Sequence, residues 1–79
     1  MNHRKAADPR IALGRAIRKL RLKRGLSQEE LADLATIHRT YIGDVERGTR
    51  NIALLNMVRV AHALGLPLSR LIAEMEQGE

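Results

Sequence analysis

The stretch from Ser27 to Asn51, SQEELADLATIHRTYIGDVERGTRN, decides the fold. Counted from Gln28, residues Leu31, Ala32, Ala35, Ile37, Ile42 and Val45 fall where two short helices crossing at a steep angle must turn apolar groups inward. Ala32 lies near the expected crossing, where a larger side chain would pry the helices apart. Ser27-Gln28-Glu29-Glu30 has the form of a capping box, with Leu26 and Leu31 placed to staple over it, so one helix starts at Gln28 and ends near Ala35. The next spans about 39–47 and is terminated by Gly48. The spacing is that of a helix-turn-helix unit, whose second helix enters the major groove of duplex DNA.

Working outward, Asp8-Pro9 is a cap followed by a first-turn proline, and Leu13, Ile17 and Leu20 recur at helical spacing until Gly25, giving a first helix over about 9–24. Asn51 is a plausible cap for a fourth helix at about 52–64, which Gly65 closes, and Pro67 opens a fifth. Residues 1–7 and 77–79 lack the apolar content to pack and are expected to be flexible. No strand pattern competes. The expected architecture is all-α, a five-helix bundle forming a single domain over residues 1–79.

With 79 residues the chain buries only about 60 to 65% of its unfolded surface, so a deep catalytic cleft is not expected. No paired carboxylates, nucleophile-base arrangement or phosphate-cradling glycine loop speaks for an enzyme. There is no Cys, which removes disulfides and thiolate metal sites and suits a reducing compartment. His3, His38 and His62 are scattered, so neither a metal nor a cofactor is expected, and no small-molecule ligand either. No apolar run reaches the roughly 18 residues of a membrane span, and MNHRKAADPR lacks the apolar segment of a secretory signal. A soluble, cytoplasmic protein without membrane association is expected.

The net charge of +5 is unevenly placed: residues 1–50 carry 12 Lys and Arg against 6 Asp and Glu, residues 51–79 carry 2 against 3. A concentrated basic region favours a polyanionic partner, because neutralising phosphates releases condensed counterions. The plain alternative is a solvated charged face on an ordinary helix.

Together, SQEELADLATIHRTYIGDVERGTRN and the following ALLNMVRVAHALGL resemble the Xre-like family of helix-turn-helix regulators, which includes phage Cro and repressor proteins; the resemblance covers roughly residues 10–75. RTYI in the reading helix and ERxxRN after it are, within that family, most similar to the controller proteins of restriction-modification systems. The resemblance implies a transcription regulator acting on a double-stranded DNA operator.

It also implies which residues meet DNA. With Ile42, Val45 and Glu46 inward, Thr40, Asp44 and Arg47 point out, and Arg39 and Tyr41 flank the first turn. Carry-over from the family nominates Arg39, Thr40 and Tyr41 for base contacts. The guanidinium fork of Arg39 matches O6 and N7 of guanine, Thr40 suits a thymine methyl or a phosphate, and Tyr41 suits a phosphate or packs its ring beside the preceding helix. Asp44, acidic on that face, accepts from a cytosine amino group, orients Arg47 or Arg39, or repels phosphate. Gln28 is placed to grip a phosphate at a helix start, or is simply a polar start. His38 caps the reading helix or touches phosphate. Arg47, Arg50 and Asn51 are implied by the family as sugar-phosphate contacts. Arg21 and Glu46 match in type an ion pair that ties the first helix to the reading helix in related phage repressors.

Three departures qualify the match. Thr36 stands where the motif often has Gly, so the turn is expected to differ slightly. Gly43 inside the reading helix points to a close approach to DNA or to tolerance. Ten of the thirteen positions from Ile52 to Leu64 are apolar, too many for one buried stripe. Assigning Leu54, Val58, Ala61 and Leu64 to the core leaves Leu55, with Leu68, Leu71, Ile72 and Met75, for a two-fold interface and an inverted-repeat operator. The rival reading is an antitoxin or other protein-interaction module that binds DNA secondarily.

Overall fold

Five helices form, and the clearest physical signals mark the starts of the first two. The computed structural model describes residues 8–78, and among these there is no strand. Helix α1, Pro9–Lys23, is capped by the Asp8 carboxylate, which accepts from the Arg10 amide; the Arg10 side chain in turn holds the Asp8 carboxyl below the usual carboxylate range. Helix α2, Gln28–Ala35, opens on a complete capping box, Ser27 accepting from the Glu30 amide at 3.0 Å and Glu30 accepting from the Ser27 amide at 2.8 Å. Helix α3, Arg39–Arg47, stops at Gly48, helix α4 is Leu54–Ala63, and helix α5 is Leu68–Gln77. The expected flexible residues 1–7 and 79 lie outside the described residues, whereas Gln77 is the last residue of α5 and Gly78 its cap.

Thr36 adopts the left-handed conformation at φ 58° and ψ 47°. The expected change of turn is therefore corrected: the turn keeps its left-handed residue, and a β-branched side chain carries strain of about 1 to 2 kcal/mol there.

The core joins Leu13 and Ile17 of α1, Leu31, Ala32 and Ala35 of α2, Ile42 and Val45 of α3, Val60 and Ala61 of α4 with Leu64 at its end, and Leu71 of α5. Each fully buried Leu or Ile contributes about 1.5 to 3 kcal/mol. Helix α2 lies against α3 and α4, α1 against α3 and α5, and α4 against α5, so the α2-α3 pair is backed on both sides.

Helix α4 departs from expectation in start and phase. It begins at Leu54, capped by Ala53, and Asn51 is exposed outside it instead of capping it. The Ala53 amide, which an ordinary cap would leave to solvent, donates to the Tyr41 hydroxyl at 3.3 Å, which fixes the entry. The buried face is Val60, Ala61 and Leu64, with Met57 packed against them; Leu54 and Leu55 stay 64% and 60% exposed and Val58 half-buried. A second correction concerns Leu71, which is wholly buried within the chain and so cannot face a partner. Leu68 and Met75 also pack against the core, each half-buried, which leaves Ile72 less committed.

Candidate nucleic-acid interface

The second helix of the unit is held at its inner face by an ion pair with almost no solvent. Arg21 Nε donates to Glu46 Oε2 at 2.6 Å and Nη2 to Oε1 at 3.0 Å, with the two side chains 8% and 3% exposed. The hydrogen bonds to Glu46 push the Arg21 guanidinium further above its ordinary value, against the effect of burial. Arg21 Nη1 also donates to the Leu26 carbonyl at 2.8 Å, so one side chain fixes α1, the loop before α2, and α3. Among the described residues no buried side-chain polar atom lacks a partner. Such a closed arrangement is stable as a unit, and removing one partner of a deeply buried pair typically costs about 3 to 5 kcal/mol.

Gly14 makes this approach sterically possible. A Cβ there would lie 2.4 Å from the Val45 carbonyl oxygen and 2.6 Å from that of Glu46, so α1 and α3 touch backbone to side-chain-free backbone. Sequence reasoning placed the critical small residue at Ala32 and missed Gly14. A lone glycine inside a helical pattern, with the small Ala12 and Ala16 two positions to either side, was the available signal. Arg24 was missed as well: it crosses to α4 and donates to the Leu64 carbonyl at 2.7 Å, placing a cation at that helix's C-terminus.

With its inner face fixed, α3 presents the other side. Arg39, Thr40 and Arg47 are exposed, and they line an open cleft of about 570 Å³ together with Arg21, Ser27, Gln28, Glu29 and Gly43. The cleft joins the N-terminus of α2 to the first turns of α3. A larger groove of about 690 Å³ between α1 and α5 shares none of these residues.

The remaining nominated residues are arranged less simply. Gln28 does not stand free, because its Nε2 donates to Glu46 Oε1 at 3.0 Å; one N–H remains to face outward. Tyr41 is half-buried against the core, with its hydroxyl accepting from Ala53 and the Arg50 guanidinium 4.7 Å from its ring centroid. The ring thus supports the loop after α3 as well as packing on the core. His38 is the N-cap residue of α3, and its side chain makes no cap hydrogen bond. Asp44 accepts from Arg47 through one carboxylate oxygen and, at 3.3 Å, from Arg50 through the other, so it holds both arginines at the exposed edge of α3. Gly43 has room for a side chain, since the atoms nearest an added Cβ would be Arg47 Nη1 at 3.4 Å, Gln28 Oε1 at 3.7 Å and Arg47 Nη2 at 3.9 Å.

Helices α2 and α3 packed on one another across a short turn, an exposed basic first turn on α3 and the flanking Arg47 and Arg50 define a DNA-binding regulator of helix-turn-helix type. Comparison with known proteins agrees. The family model described as helix-turn-helix matches residues 17–71, and the chain belongs to that family in its Xre-like form. It is 48% identical over 58 residues to the control protein C.BamHI of Bacillus amyloliquefaciens, covering 72% of each chain. It is 39% identical over 75 residues to the control protein C.SmaI of Serratia marcescens, covering 90% of this chain and 89% of that one. The crystal structure of the restriction-modification controller protein C.AhdI from Aeromonas hydrophila superposes with a TM-score of 0.77 at 44% identity, covering 78% of this chain and 94% of that one. The chain is a DNA-binding transcription regulator. No helix among the described residues is long and apolar enough to cross a membrane.

Proposed function

We propose that the chain is a homodimeric controller of a restriction-modification system that reads an inverted-repeat operator through the first turn of α3. The observation that carries the reading is the placement of Arg39 and Thr40, exposed at the mouth of the α2-α3 cleft, on a helix whose opposite face is locked by Glu46 and Arg21. A rigid helix with free side chains at its N-terminus satisfies what direct major-groove readout needs. The similarity to C.BamHI, C.SmaI and C.AhdI supports the controller assignment.

In this reading Arg39 contacts a guanine edge and Thr40 a thymine methyl or a phosphate. Gln28, through its remaining N–H, and the exposed His38, Arg47, Arg50 and Asn51 contact the sugar-phosphate backbone. Leu55 with Ile72, and in part Leu68 and Met75, supplies the two-fold interface, since 60% exposure of a leucine beside the equally bare Leu54 is a surface that a second copy would cover. Two-fold symmetry then sets the reading helices about 34 Å apart.

Salt dependence tests the reading. With three or four phosphates touched per subunit, the log-log slope of binding constant against salt is expected at about −5 to −7 for the dimer. A slope near zero, or equal affinity for every duplex, would remove it.

A further inference from the structure

The outward acid on a helix that approaches a polyanion needs a reason. We infer that Asp44 is a specificity-determining residue, a carboxylate that keeps Arg47 and Arg50 off the phosphates of unmatched duplex. The inference rests on the proposed reading of DNA by α3.

Three observations carry it. Both oxygens of Asp44 are engaged, Oδ1 by Arg47 Nη2 and Oδ2 by Arg50 Nη2 at 3.3 Å. The loop that brings Arg50 back is fastened to the same residue, because the Asp44 carbonyl accepts from the Thr49 amide at 3.0 Å and from the Thr49 hydroxyl at 3.1 Å. Arg50 is further seated over the Tyr41 ring, whose own position is set through Ala53. Asp44 is therefore the centre of a built cluster, and its carboxylate lowers the charge of the two-arginine edge from +2 to +1.

The consequence for DNA follows from how the two binding modes depend on charge. Sequence-independent binding scales with the number of phosphates neutralised, so withholding two arginines per subunit weakens it directly. The arginines are largely exposed, and exposed ion pairs hold weakly, so a nearby phosphate can take them from the carboxylate. Once they leave, Asp44 faces the duplex as a bare acceptor. Among base edges in the major groove, the amino group of cytosine or of adenine can satisfy it; an acceptor edge or a phosphate repels it. Full use of Arg47 and Arg50 is thereby tied to the base sequence in front of α3.

The test uses the operator selected from a random pool by the wild-type chain, and a random-sequence duplex, each titrated over a range of salt. Asp44→Asn keeps the shape and removes the charge. Its affinity for the random duplex is expected to rise about tenfold, with the salt slope steeper by about 0.9 for each arginine released, while operator affinity changes less and the preference ratio falls. In an Arg47→Gln/Arg50→Gln background the same substitution should no longer steepen the salt slope, because no arginine is left to release. An unchanged ratio and slope for Asp44→Asn overturns the inference, as does a steepened slope that persists without the two arginines. Thermal unfolding checks that the variant folds, and Asp44→Ser carries the same expectation should the amide variant not fold. If the wild-type chain itself shows no preference for any duplex, the DNA reading fails, an outcome distinct from a preference that Asp44→Asn leaves intact.

Discussion

Thr36 is the only described residue other than glycine at positive φ, and its side chain is exposed, so strain there is not offset by packing. Thr36→Gly is expected to stabilise the fold by about 0.5 to 1 kcal/mol, the left-handed penalty less the extra entropy of glycine, raising Tm by about 4 °C. A lower Tm would show that the threonine makes a contact outweighing its strain. At this scale much of the site was legible in sequence, because residue type and helical phase together identify which side a residue faces. Ile42, Val45 and Glu46 do turn inward, and Arg21 does meet Glu46. What was not legible is the partner a polar group takes when several are in reach. The Gln28 amide goes to Glu46 and the Asp44 carboxylate to two arginines. Those choices depend on distances between elements, which the spacing of residues along one helix does not contain.

Helices α1, α2 and α3 were legible to within a residue because their ends carry chemistry: a proline after an aspartate, a capping box, and a glycine at φ 77°. Helix α4 was not. An almost continuously apolar segment gives no preferred phase: Ala61 and Leu64 of the expected stripe are buried, whereas Leu54 is exposed, Val58 is half-buried and Val60 takes a core position instead. The buried phase is seen only in the packing of Val60, Ala61 and Leu64 against the other helices, and the entry is held by the Ala53 amide donating to the Tyr41 hydroxyl. Within α3, Gly43 weakens the helix by about 1 kcal/mol relative to alanine, and the structure shows only ordinary contacts for an added methyl. Gly43→Ala should therefore raise stability by about 1 kcal/mol in urea unfolding. If the glycine exists to let α3 approach DNA, the more stable variant will bind its operator more weakly; unchanged binding would assign it to tolerance alone.

At the scale of the whole molecule, the exposed Arg39, Arg47 and Arg50 lie on α3 and the loop after it, and the bare leucines lie at the start of α4. The excess of apolar residues near the C-terminal end was legible as a total, and its division between core and surface was not: Leu71 belongs wholly to the core and Leu55 does not. A two-fold pairing through Leu55 predicts that Leu55→Glu sediments as a folded monomer and loses operator affinity, whereas a dimer persisting in analytical ultracentrifugation would place the interface elsewhere. The most direct measurement of the central claim is selection of binding sites from a random duplex pool with the wild-type chain and with Arg39→Ala. Major-groove readout by a two-fold pair predicts an inverted repeat for the wild type, with base preference relaxed at one position per half-site once Arg39 is gone. The same consensus from both proteins, or no consensus from the wild type, would contradict it.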